Sequence, residues 1–348
     1  MEEAARSDLK KVERKLRYFS LIVLALFILL VLGILISFAL GRYPISLREL
    51  FAALAPRSWG VAGVTEQMRA ILWSVRFPRI MLACLVGCSL SAAGASYQGV
   101  FQNPMASPDI LGASSGAATA AALALLLQLP SRAVMLFAFA GGLITIALVM
   151  LISKTARGNR LLRIILAGIM ISSLCNALTS YIKLVADPNN ILPEITYWLM
   201  GSLAKTKPPD VIFAGIPMLV GLIPLLLLRW RINLLTMSDN EARTMGVNVG
   251  VTRIITIVCA TLVTAASVSV SGLIGFVGLV VPHLARKFVG NNYRHLLPVS
   301  MLGGALFLLI VDDLSRNLLV TEIPIGILTA VIGAPFFIWM ITRRSDTV

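Results

Sequence analysis

Ionisable side chains are scarce in this sequence: 13% of its 348 residues are charged, about half the share found in an ordinary soluble domain. Histidine occurs twice, at His283 and His295. The two stand twelve positions apart, and no Cys, Asp or Glu lies between Gly275 and His295 to complete the three or four ligands of a zinc or iron site. A local metal site is therefore not expected there. Cys84, Cys88, Cys175 and Cys259 all fall inside apolar runs, where thiols behave as small hydrophobes, so neither a disulfide nor a cluster is expected. No G-x-x-x-x-G-K-[ST] pattern occurs, so the chain has no phosphate-cradling loop of its own. No Asp, Glu or Lys lies near the middle of an apolar run, which removes the intramembrane relay that an ion-coupled carrier requires. Basic and aromatic residues do not interleave as in a nucleic-acid surface.

Hydrophobic residues, by contrast, make up 58% of the chain, and the mean hydropathy is +0.89. The first apolar run, Phe19 to Leu40, has 22 residues without a charge, enough to cross a hydrocarbon layer of about 30 Å. It follows "KKVERKLR" and shows no small-residue cleavage site before Arg42, so it reads as a retained span. Further runs lie near 80–100, 110–128, 133–153, 161–182, 211–228, 254–271, 273–284, 296–311 and 323–342. Backbone groups in lipid must be satisfied internally, so ten helical spans packed in one bundle are predicted. Residues 1–18 form an N-terminal segment, 19–342 a single membrane domain and 343–348 a C-terminal tail.

Orientation follows from the basic residues. With the N-terminus in the cytoplasm, inner segments hold 19 Lys or Arg and outer segments 11, six of them in one long outer segment from Arg42 to Arg79. Both termini are thus expected in the cytoplasm of a multi-pass cell-membrane protein. The net charge of +14 is mostly this bias.

Three stretches carry more than hydrophobicity. In the second span, Gly87, Ser91 and Ala95 repeat every four positions, which lets a neighbouring helix backbone approach closely. The connection "FQNPMASPDILG", 101–112, has two prolines and four polar side chains but no Lys or Arg. Its backbone cannot be regular helix, and it reads equally as part of a polar pathway or as a capped turn. In "LLTMSDNEARTMGVNVGVTR", 234–253, Ser238 and Glu241 form an S-x-x-E capping box. A short helix is predicted from Asp239, with Gly246 as its left-handed stop. It is either an ordinary loop helix or a docking knob for a cytoplasmic partner.

Taken together, "RFPR" at 76–79, "FQNPMASPDILG", "SGLIGFVGLVVPHLAR" at 271–286, "DDLSR" at 312–316 and "EIPIGILTAVIGAPFF" at 322–337 resemble the FecCD-type permease subunits of ABC importers for ferric siderophores, haem and vitamin B12. The resemblance runs from about residue 20 to 342. It implies an all-α integral membrane fold, the ten-span bundle of a type II ABC importer permease, working as a homodimer with the pathway along the subunit interface. It also implies two cytoplasmic ATPase subunits, which use ATP and Mg while this chain binds no cofactor, and an extracytoplasmic binding protein. By motif match, Arg76, Arg79 and Arg316 correspond to arginines that dock the binding protein. Asn103 and Met105 correspond to a cytoplasmic gate, as do Gly158 and Asn159 in "KTARGNR", where the family more often has small hydroxyl residues. Ser238, Asp239, Glu241, Ala242, Met245 and Gly246 occupy the place of the coupling helix to the ATPase. His283 belongs to the family's Pro-His signature. The family's inverted repeat survives as a trace, "RIMLACLVGCSLSAAG" from Arg79 against "RIITIVCATLVTAAS" from Arg253. A second reading of Arg316 is that it neutralises Asp312 or Asp313 one helical turn away.

The expected cargo is a ferric siderophore or a similar large metal chelate, with haem, cobalamin and molybdate as alternatives on the same architecture. An ion-coupled secondary transporter would need the missing relay. A membrane sensor or enzyme would need a soluble domain, and no soluble segment exceeds about 40 residues, short for an independent domain.

Overall fold

The structure, a computed structural model, describes residues 2–41, 43, 65–155 and 160–343. Among them are fourteen α-helices and no strand. The long ones coincide with the uncharged apolar runs, because a helix satisfies its backbone within one segment where lipid offers no partner. In chain order they are α1 (Glu2–Ala39), α2 (Glu66–Ile71), α3 (Phe77–Val100), α4 (Ala113–Leu126), α5 (Ser131–Thr155), α6 (Arg160–Val185), α7 (Ile191–Leu199) and α8 (Pro208–Leu227). They continue as α9 (Arg229–Leu234), α10 (Asp239–Thr244), α11 (Val249–Ser271), α12 (Val277–Val289), α13 (Tyr293–Asn317) and α14 (Ile325–Arg343).

Each of the ten predicted spans contains one of these helices. Among the described residues, seven helical runs are long and apolar enough to cross a membrane: 17–39, 66–100, 131–155, 161–185, 208–227, 249–271 and 293–317. Of the other three, α4 and the apolar part of α14 are shorter than their runs suggested, and α12 is about as short as its run. α4 has 14 residues and α12 has 13, about 20 Å each at 1.5 Å per residue. Each is preceded by irregular backbone. A 3₁₀ turn (Pro108–Leu111) and left-handed Gly112 lead into α4, and left-handed Gly272 and Phe276 precede α12. The third, α14, has its apolar part at Ile325–Trp339.

The long outer segment expected from Arg42 to Arg79 is corrected at its C-terminal half. Thr65 caps α2 by accepting from the Met68 amide at 3.2 Å, and a π-helical turn (Leu72–Arg76) joins α2 to α3. Arg69, Arg76 and Arg79 therefore lie within one helical run of 35 residues. Pro78, which has no amide to donate, stands directly after this π-helical turn, in the first turn of α3.

The core is built on α3, which packs most extensively against α13 and also against α11, α12 and α8. Arg79 meets Asp312 and Gly87 meets Gly304, so α3 and α13 run antiparallel. The small-residue stripe read in the second span does what its spacing predicts. A Cβ on Gly87 would strike the Gly304 carbonyl, and one on Gly304 would strike the Gly87 carbonyl and Cβ of Ser91. Tyr97 shares a 2.6 Å hydrogen bond with Thr261, fixing α3 to α11 inside the apolar core. All four cysteines are free thiols within helices. No group of three or more His, Cys, Asp or Glu able to hold a metal occurs among the described residues.

Candidate functional site: two polar ends of one bundle

Helix α3 has a charged cluster at its start and a polar loop at its end. At the start, Arg79 Nε donates to both oxygens of Asp312, at 2.9 and 3.2 Å, and its Nη1 donates to Glu322 at 2.9 Å. Arg316 Nε stands 3.2 Å from the second Asp312 oxygen. Its Nη2 donates to Asp313 and, at 2.7 Å, to the Ser37 hydroxyl, which in turn donates to Asp313 at 2.7 Å. Arg76 donates instead to backbone carbonyls, those of Phe38, Ala39 and Tyr43. Three arginines and three carboxylates thus tie α1, α3, α13 and the segment before α14 together with no net charge.

The structure brings the three arginines assigned to docking into one place, but it buries them. Arg76 is 4% exposed, Arg79 5% and Arg316 8%. Burying a charge is tolerable only when it is paired and hydrogen-bonded; Arg79 and Arg316 are paired with carboxylates, and Arg76 is held by backbone carbonyls alone. The alternative reading of Arg316 holds: it neutralises Asp312 and Asp313 together. In this arrangement none of the three stands as a free surface charge, and Glu322, about a quarter exposed, is the outermost carboxylate of the Arg79 pairs.

At the other end of α3 the chain turns through Phe101–Ser107. Asn103 and Met105, assigned to the gate, are both exposed. The Asn103 carboxamide oxygen accepts from the Met105 amide at 2.9 Å, a local turn that Asn favours. Gly158 and Asn159 lie outside the described residues. Pro108 and Asp109 follow, with Asp109 accepting from the Ser114 hydroxyl across the start of α4.

The coupling segment stands beside this loop. Ser238 accepts from the Glu241 amide at 3.3 Å and Glu241 accepts from the Ser238 amide at 3.1 Å, so both halves of the predicted capping box form. α10 ends at Thr244, with Gly246 left-handed at φ 78°. Ala242 is buried and Met245 is 56% exposed, so one face of this short helix seats on the bundle and its end projects. Asp239 pairs with the buried Arg253 at 3.1 Å.

Two residues were missed in the sequence reading. Gln102, in the left-handed region at φ 51°, donates both amide hydrogens across to the 234–238 segment, to Leu235 O at 2.8 Å and Met237 O at 3.0 Å. Asn233 accepts from the Tyr293 amide at 3.0 Å, holding the same segment to α13. A backbone partner carries no sequence signature, so only the polar, basic-free character of 101–112 hinted at the Gln102 bonds, and nothing hinted at that of Asn233.

Helices enough for a polytopic bundle, with a charge-neutral cluster at one end and a capped, projecting helix beside a non-helical loop at the other, define an integral membrane protein with a polar structure at each end. The chain matches the FecCD transport family over residues 29–343, and it belongs to that family. The molybdate import permease MolB of Haemophilus influenzae is 39% identical over 319 residues, covering 91% of this chain and 94% of that protein. The hemin transport permease HmuU of Yersinia pestis is 38% identical, covering 92% and 95%. A solved inward-facing structure of the metal-chelate ABC type superposes with a TM-score of 0.83 at 37% identity, covering 92% of this chain and 99% of that one. The protein is a multi-pass membrane permease of an ABC importer.

Proposed function

We propose that the chain forms, with a second copy of itself, the pathway for a ferric siderophore or similar metal chelate. The observation that carries this reading is the fold likeness to a metal-chelate transporter, which extends over nine-tenths of the chain. Permeases named for iron chelatin in Helicobacter pylori and for ferric dicitrate in Escherichia coli, 41% and 38% identical, support it. The energy enters from separate ATPase subunits, since the sequence has no phosphate-binding loop. α10 is the element through which they push, because its reciprocal cap makes it rigid before any partner arrives. Asn103, Met105, Gly158 and Asn159 form the cytoplasmic gate, and both termini lie in the cytoplasm with that end of the bundle.

A binding protein docks at the opposite end. For Arg76, Arg79 and Arg316 to take part, carboxylates of that partner must exchange with Asp312, Asp313 and Glu322, because each arginine is already paired or bonded. Molybdate is the competing cargo, on the strength of the Haemophilus relative.

Proteoliposomes carrying permease, ATPase and binding protein decide between them. ATP-dependent uptake of a ferric hydroxamate or catecholate chelate is the expected result. Uptake of molybdate alone would overturn the cargo assignment, and uptake that follows an ion gradient without ATP would overturn the importer reading.

A further inference from the structure

The gate loop and the coupling helix are separate elements, and a push on one reaches the other only through contacts between them. The coupling segment is fastened in three places. Asp239 pairs with Arg253 on α11, and Asn233 holds the first amide of α13. Both of these lead into the packed bundle. The third fastening is Gln102, and among the described residues its side chain alone hydrogen-bonds this segment to the gate loop.

Its position in the chain is as informative as its partners. Met237, whose carbonyl accepts from Gln102, immediately precedes Ser238, the cap of α10. Gln102 in turn immediately precedes Asn103. A displacement of the cap therefore reaches the gate residue through one side chain and one peptide unit. The loop side is equally constrained: the Phe101, Gln102 and Asn103 amides all bond back to carbonyls of α3, at 2.9, 3.4 and 3.2 Å.

The backbone of Gln102 is also out of the ordinary. A non-glycine residue at φ 51° is disfavoured by its Cβ, so the conformation persists where other contacts hold it. Both hydrogens of its carboxamide are committed to neighbouring carbonyls on the same partner segment. A side chain with only local duties would need neither bond, since its surroundings are exposed to water.

We infer that Gln102 is a positioning residue for transport, the link that makes the gate loop follow the coupling helix. This rests on the gate and coupling roles proposed above. Loss of its two donors leaves the helix free to move under the ATPase while the gate stays behind.

The test uses the complete transporter reconstituted with its ATPase and binding protein, in a background lacking the four native cysteines. Spin labels at Asn103→Cys report the gate distance between the two copies, and labels at Thr244→Cys report the coupling-helix distance. With Gln102 intact, a non-hydrolysable ATP analogue shifts both distances. In Gln102→Met the Thr244 distance still shifts and the Asn103 distance does not, and in unlabelled protein the ATP consumed per chelate imported rises about five- to tenfold, the scale set by one or two lost hydrogen bonds. Gln102→Lys, which keeps a donor, restores most of the ratio. A Gln102→Met transporter with an unchanged ratio and a gate that still follows overturns the link, as does uncoupling that Lys fails to relieve. If neither distance responds even with Gln102 present, the coupling reading itself falls, and the link with it.

Discussion

The two ends of α3 hold their neighbours by different chemistry. At the Arg79 end, buried ionic partners pair with one another across 233 residues of sequence. At the Gln102 end, neutral amides bond to carbonyls in an exposed setting. The difference is one of consequence on breaking. Removing one member of a buried ion pair costs about 3 to 5 kcal/mol because a charge is left stranded. An exposed neutral hydrogen bond contributes about 0.5 to 1.5 kcal/mol net, since water replaces it. The first end is therefore a weld and the second an articulation, which is the difference that the proposed coupling through α10 requires.

The largest expected effect comes from breaking the weld. Asp312 is fully buried and lies between Arg79 and Arg316, so Asp312→Asn removes the shared counter-charge of two guanidiniums. A destabilisation of about 3 to 5 kcal/mol is expected, read as a lower unfolding temperature of the detergent-solubilised permease. Glu322→Gln, at the quarter-exposed edge of the same cluster, should cost far less. Equal losses from the two would show that burial does not set the strength of this end.

Below the weld, the α3–α13 contact offers a second comparison, between steric and ionic fastening of the same pair of helices. Gly304 has no room for a Cβ, since the carbonyl of Gly87 and the Ser91 side chain already occupy that space. Gly304→Leu should force the helices apart and cost at least the 1 to 3 kcal/mol, roughly, of an overpacked core. Gly303, its neighbour, faces only a Val281 methyl group at 3.3 Å, so Gly303→Ala should leave the unfolding temperature close to that of the parent. A tolerated Gly304→Leu would mean that the close approach is not what holds α3 against α13.

These contacts differ in how well the sequence announces them. The capping box of α10 could be read in advance because its partners are three residues apart and the motif is itself the mechanism. The pairing of Arg316 with Asp312 and Asp313 was readable for the same reason, being one helical turn long. Arg79 with Asp312 was not, because nothing in either segment says which distant helix will lie alongside. The small-residue stripe announced that some helix would approach α3 closely but not that it would be α13. Ten apolar runs each hold a helix, whereas the shortness of α4 depends on irregular backbone around Pro108 and Gly112 that hydropathy does not register; the short run of α12 was legible, but not the positive-φ turns at Gly272 and Phe276 before it. The motif match that assigned Arg76, Arg79 and Arg316 to docking carries no sign that the fold itself pairs Arg79 and Arg316 with carboxylates and Arg76 with backbone carbonyls.

The smallest expected effect tests the articulated end at its simplest point. Gly246 closes α10 at φ 78°, and a Cβ there would meet nothing within 4 Å. Crowding is therefore absent, and only the left-handed backbone distinguishes glycine from other residues. Gly246→Ala should cost about 1 to 2 kcal/mol of local stability through that conformational preference, visible as faster amide exchange in Arg243–Val247 with little change in the global unfolding temperature. Gly246→Asn should recover much of the loss, because Asn tolerates the left-handed region. The pair of substitutions separates backbone strain from contact, which the open space around this residue makes possible. Were Ala and Asn equally disruptive, a partner's need for a bare surface at this point would explain Gly246 better than its backbone angle does, and the knob would then have to be read as a contact surface at its very tip.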